Sequence, residues 1–134
     1  GAQRIIKPYS AEQARMLSPL QLAFIGDSVH AMLVRQHLLA KNMNVKQMHL
    51  KCVQAVRAVS QAKSMDAILP LLSDEELSIV KRGRNAHSHH GSPKGATVSE
   101  YASATGLEAL LGYLYLTDDM ERIEFLLPYL MPED

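Results

Sequence analysis

"SPLQLAFIGDSVHAMLVRQHLLA", residues 18–40, decides the fold. Ser18, Pro19 and Gln21 form a helix-start signature: a hydroxyl to accept from a first-turn amide, a proline whose missing N–H is not needed there, and a glutamine that reaches back to the cap. Apolar residues then recur at helical spacing, which predicts one long helix from about Pro19 to Ala40, ending near Asn42. Asp27 breaks its pattern. Ala23 and Ala31 lie one turn to either side, and Val34 and Leu38 continue the stripe. A carboxylate on such a face must neutralise, find a donor or bind a cation. The adjacent Gly26 weakens a helix by about 1 kcal/mol relative to alanine, so its use is close approach of another backbone.

Similar start signals recur outward from this helix. Ser10 caps a short first helix, and Asn44 with Gln47 opens one expected to run through about Lys63. Ser73 precedes Asp74, Glu75 and Glu76 and opens another that ends near Gly83. Thr97 and Glu100 open a helix reaching about Leu116, and a last one runs from about Asp119 to Leu127 before Pro128. No segment alternates with strand period, and no repeat is present. The fold class is all-α, and 134 residues fit a single domain, with an N-terminal segment over 1–16 and a surface loop over 85–96 that is rich in Gly, Ser, Pro and His.

An apolar content of 47 % supplies a core, yet no stretch has the roughly 18 uninterrupted apolar residues of a membrane span. The expectation is a soluble, cytoplasmic protein. A lone cysteine, Cys52, excludes an internal disulfide framework and a cysteine zinc cluster, and reads as packing. Fourteen basic residues balance fourteen acidic ones, but unevenly. No acid occurs between Ser28 and Met65, a window carrying Arg35, Lys41, Lys46, Lys51, Arg57 and Lys63. A second acid-free window, Leu77 to Ser99, carries Lys81, Arg82, Arg84 and Lys94. The basic residues between 41 and 63 share no single helical face, so solvated positions explain them as well as a partner does.

The helix after the loop repeats the oddity of Asp27. In "TGLEALLGYLYL", residues 105–116, Glu108 is surrounded at helical spacing by Ala104, Thr105, Leu111 and Gly112. Gly106 and Gly112 permit tight helix contact, so the natural arrangement crosses the two helices with Asp27 facing Glu108. Two readings follow: each acid pairs locally, or both hold a hard divalent cation, most plausibly Mg²⁺.

Three blocks together carry a family resemblance. "LQLAFIGDSVHAMLVRQHLL", "VKRGRNAHSHHGSPKGATVSEY" and "ATGLEALLGYLYL" resemble, in order, the signature segments of the ribonuclease III endonuclease domain. The likeness is strongest to the Mini-ribonuclease III branch, which lacks a double-stranded-RNA-binding domain, and it covers about Leu17 to Leu130. It implies an all-α, homodimeric, Mg²⁺-dependent endoribonuclease that cuts double-stranded RNA to leave 5′-phosphate and 3′-hydroxyl ends. It further implies maturation of 23S ribosomal RNA precursors, with a ribosomal protein as a possible partner. Asp27 and Glu108 match the metal-binding, catalytic carboxylates. Ala23 and Thr105 stand where larger relatives carry two further acids, as in the smaller branch, and Glu100 and Asp66 are the remaining candidates for extra ligands.

RNA contact then falls to the catalytic domain. Arg82 and Arg84 suit bidentate phosphate binding, Asn85 a 2′-hydroxyl, and Lys94 adds charge. His87, His89 and His90 lack a neighbouring Cys or acid and read as a solvated loop that gains charge below about pH 6.5. Met32, Met43, Met48 and Met65 read as packing residues. Two other classes compete: an inactive RNA-binding or ribosome-associated scaffold, and a helical phosphohydrolase of small nucleotides. Two retained carboxylates argue against the first, and the absence of His-Asp or paired Glu-x-x-Glu and Glu-x-x-Asp segments argues against the second.

Overall fold

A computed structural model describes residues 8–86 and 95–132. Among these residues there are seven α-helices and no strand, so the all-α reading is borne out. They are α1 (Ala11–Met16), α2 (Pro19–Leu38), α3 (Val45–Val56), α4 (Ala58–Ile68), α5 (Asp74–Ala86), α6 (Val98–Leu116) and α7 (Met120–Leu126). Ser10, Ser18, Asn44 and Thr97 each accept from the third residue of their helix while that residue's side chain reaches back. Ser73 and Glu76 do the same for α5, at 2.8 and 3.2 Å. The start signals legible in the sequence are therefore the actual starts.

Two boundaries differ. The helix expected to run from Asn44 through Lys63 breaks at Arg57, whose extended backbone (φ −74°, ψ 156°) separates α3 from α4. The Ser60 hydroxyl donates to the Gln54 carbonyl at 2.7 Å across the break. The turn lets α4 bury Gln61, Ala62, Met65 and Ile68, whereas α3 buries Cys52 and Ala55 in a separate small cluster with Val34 and Leu38. A continuous helix would hold both sets on one axis, and tertiary packing overrides that local continuity. At the other end, α5 continues past Gly83 to Ala86 and so takes Arg84 and Asn85 into the helix.

Helix α6 is the axis of the fold. From Ala102 to Leu114 every residue except Glu108 is buried, the pattern of a helix surrounded by others. Helices α2, α4 and α5 pack around it. The α2–α6 crossing is set by reciprocal glycines. A Cβ on Gly26 would lie 1.7 Å from the Glu108 carbonyl oxygen, and one on Gly112 would lie 1.9 Å from that of Leu22. Gly83 and Gly106 bring α5 similarly close.

The base of α5 is fastened by a buried ion pair. Glu76, 6 % exposed, accepts from Arg122 at 2.7 and 2.8 Å, while Arg122 also donates to the Leu71 carbonyl at 2.7 Å. Burial alone would raise the Glu76 pKa, but the Arg122 guanidinium and the Ser73 cap hold it below the usual carboxylate value.

Candidate active site

The α2–α6 crossing brings the two odd carboxylates together. Asp27 follows Gly26, the residue seated against the Glu108 backbone, and the Asp27 and Glu108 side chains line one cleft. Burial first, and then the neighbouring Asp27 carboxylate, push the Glu108 pKa up to about 8, while the Gln61 amide works in the opposite direction. Asp27 itself is exposed. It stands at the edge of the α2 stripe, because the face turned inward is Leu22, Ala23, Gly26, His30, Val34 and Leu38. The expectation of a carboxylate within the apolar face is thus corrected for Asp27. Glu108, half-buried on α6, comes nearer to it.

The pair opens into a cleft of about 680 Å³ whose walls come from α2, α4, α6 and the residues before α6. Leu20 and Phe24 form one side, Arg57 and Gln61 another, and Tyr101 and Thr105 a third. Oxygen donors that repel one another when ionised and share a proton when nothing else neutralises them suit a hard divalent cation, which takes the proton's place. Asp27 and Glu108 would be its protein ligands. No group of three or more His, Cys, Asp or Glu side chains suited to a metal occurs among the described residues. Glu100 accepts from the Thr97 amide as a helix cap, and Asp66 is exposed and does not line the cleft. Neither joins the pair.

The arginines next to the loop do different work from that expected. Arg82 donates to the carbonyls of Arg15 and Leu17, at 3.3 and 3.1 Å, and so braces the α1–α2 junction. It does not line the cleft. Its fork is engaged by backbone at the C-terminal end of α1, so the structure does not bring Arg82 together with the two carboxylates. Arg84 donates to Ser103 and packs over Gly106. Asn85 is exposed at the end of α5. Lys94, His87, His89 and His90 lie outside the described residues.

Two residues at the site were not anticipated. Gln61 lines the cleft together with Glu108, and the fully buried His30 is hydrogen-bonded to it. Burial holds the His30 pKa below its ordinary value, against the Leu130 carbonyl and the Asp27 charge, which raise it. A signal for His30 existed in the sequence, because it sits one turn beyond Gly26 on the stripe that continues to Val34 and Leu38. Arg57 is the only cation of the cleft wall among the described residues, and the helix break that places it was not legible.

The sequence profile of the Ribonuclease III domain matches residues 20–119, a span containing both glycine crossings and both carboxylates. Among known proteins, "Mini-ribonuclease 3" of Thermoanaerobacter sp. is 50 % identical over 112 residues, covering 83 % of this chain and 78 % of that one. "Mini-ribonuclease 3" of Synechococcus sp. is 46 % identical over 121 residues, covering 90 % and 86 %. A crystallised protein from Fusobacterium nucleatum has the same fold, with a TM-score of 0.77 and 32 % identity over 85 % of this chain and 91 % of its own. A shared fold alone would leave the chemistry open, but identity at this level extends over most of the molecule, and the chain belongs to the ribonuclease III family.

Proposed function

We propose that this metal-dependent endoribonuclease, which acts on double-stranded RNA, holds Mg²⁺ between Asp27 and Glu108 and cleaves the duplex in the cleft they occupy. The observation that carries the reading is the convergence of two carboxylates, 81 positions apart in sequence, on the wall of one cleft at the α2–α6 crossing. When bound, the ion supplies a nucleophile from water at neutral pH and offsets the charge that builds on the phosphate. The chain's own part is to keep Glu108 aimed at Asp27, to bring Arg57 to the phosphates and to wall the site with Leu20 and Phe24. Products with 5′-phosphate and 3′-hydroxyl ends follow from attack on phosphorus with departure of the 3′ oxygen.

RNA contact is assigned to Arg57 in the cleft, to Asn85 at the end of α5, to the Arg84 donors not engaged by Ser103, and to Lys94. An A-form duplex offers phosphates and 2′-hydroxyls to such groups rather than base edges. A second copy of the chain is the proposed cover for the α2 surface at the cleft, where Phe24 is 79 % exposed and Leu20 44 %. A homodimer would place two sites on one duplex. The biological substrate proposed is the 23S ribosomal RNA precursor in the cytoplasm, with a ribosomal protein presenting its ends. No described helix is long and apolar enough to cross a membrane.

The test is cleavage of an end-labelled RNA duplex by a preparation whose mass in solution is measured in parallel. With Mg²⁺ the wild type cuts both strands, with EDTA it does not, and the protein sediments as a dimer. Asp27→Asn keeps the fold and binds the duplex but does not cut it. A wild type that binds duplex without cutting it under any divalent cation would favour the scaffold reading instead.

A further inference from the structure

Beside Glu108, the cleft residue Gln61 is hydrogen-bonded to the buried His30, and His30 in turn to the backbone at Leu130. His30 Nε2 lies 2.9 Å from the Leu130 carbonyl oxygen, and a carbonyl only accepts, so Nε2 carries the hydrogen. Nδ1 of the neutral ring is therefore an acceptor. The Gln61 amide nitrogen, 3.0 Å away, meets it as a donor. Gln61 and Glu108 line the same cleft, and Gln61 acts on the Glu108 carboxyl in the sense that favours its ionised form, as an amide N–H does. With one N–H engaged by His30, the other is the donor left for Glu108. His30 and Gln61 are 0 % and 2 % exposed, so the hydrogen bond between them is shielded from bulk solvent. The two ring nitrogens of His30 leave the Gln61 amide one orientation, and that orientation presents a donor to Glu108.

We infer that Gln61 is a positioning residue for the metal site: locked by the Nε2–H tautomer of His30, its amide holds one Glu108 oxygen and leaves the other turned toward Asp27. The inference rests on the reading of Glu108 as a metal ligand. It joins four separate parts of the chain, α2, α4, α6 and the turn at Leu130, and it gives a buried glutamine and a buried histidine a task. Groups that orient a ligand from behind typically contribute 10–100-fold to metal affinity.

Two readouts besides cleavage test it. Free Mn²⁺ is counted by electron paramagnetic resonance over solutions of the RNA-free protein, for the wild type, Glu108→Gln and Gln61→Met, the last a change that keeps length and volume but removes the donor. The expected result is loss of Mn²⁺ binding in Glu108→Gln and about a tenfold weaker affinity in Gln61→Met, with a lower kcat and an unchanged KM for duplex RNA. Binding in Gln61→Met equal to that of the wild type, while Glu108→Gln has lost it, overturns the inference and leaves the metal site standing. Unchanged binding in Glu108→Gln overturns the metal-site reading itself. The second readout needs no variant. Imidazole ¹⁵N spectra of the wild type should show His30 protonated at Nε2 and bare at Nδ1, and a proton on Nδ1 would overturn the proposed orientation of Gln61 even if Gln61→Met failed to fold.

Discussion

Gly26→Ala lowers the unfolding free energy by about 4 kcal/mol or more, a size reached only by a few kinds of substitution. The added Cβ would meet the Glu108 carbonyl oxygen at 1.7 Å, the carbonyl carbon at 2.5 Å and Cα at 2.9 Å. All three are backbone atoms of the central helix and none can turn aside, so α2 and α6 must separate. Separation opens voids along the buried residues the crossing brings together, including Leu22, Ala23, Leu107, Ala109 and Leu111. Thermal unfolding should fall by ~10 °C or more, and cleavage should fall beyond what the unfolded fraction explains, because Asp27 moves away from Glu108. Gly112→Ala, with its Cβ 1.9 Å from the Leu22 carbonyl, should behave alike. Ser28→Ala, exposed on the same helix, should change stability by less than about 0.5 kcal/mol. Equal melting temperatures for Gly26→Ala and Ser28→Ala would contradict the crossing as the element that sets the site.

Glu108→Gln should remove cleavage and yet stabilise the metal-free protein at alkaline pH. The sign follows from the proton Glu108 holds. Its folded pKa, about 8, lies above its unfolded value of 4.5, so the folded state binds more protons between those values. Stability of the metal-free wild type is then fully present below pH 4.5 and is lost as pH rises to about 8. Glutamine does not titrate and resembles the protonated acid. The variant should match the wild type near pH 5 and exceed it near pH 8.5 by on the order of 2 kcal/mol, measured by urea unfolding in EDTA. Mg²⁺ reverses the order at pH 8.5, stabilising the wild type alone by mass action. Duplex cleavage by the variant should drop at least ~100-fold, the scale of losing one preorganised group that stabilises transition-state charge. A variant less stable than the metal-free wild type at pH 8.5 would show that Glu108 is held as a structural anion instead.

The parts of this arrangement that were legible in the sequence are those written in local chemistry. Ser18, Asn44, Ser73 and Thr97 announce their helices because a cap is satisfied within one turn. Glu108 and Asp27 stand out because a carboxylate among apolar neighbours is costly, and Gly26 and Gly112 because a helical glycine needs a packing reason. What stayed hidden depends on distant parts of the chain. The break at Arg57 serves the packing of α4 on α6. Arg82 looked like a phosphate ligand beside a loop, but its partners, the Arg15 and Leu17 carbonyls, are more than sixty residues away. Gln61 is one of several polar residues on α4, and nothing nearby distinguishes it. Only His30 at one side and Glu108 at the other give its amide a task.

The most direct measurement is an anomalous difference map from a crystal soaked in Mn²⁺. A metal held by Asp27 and Glu108 should give one strong peak in the cleft, with a carboxylate oxygen of each residue about 2.1–2.2 Å away, and Gln61 donating to the remaining oxygen of Glu108. A peak elsewhere on the chain, or none at the pair in crystals of protein that cuts duplex RNA with Mn²⁺, would contradict the account.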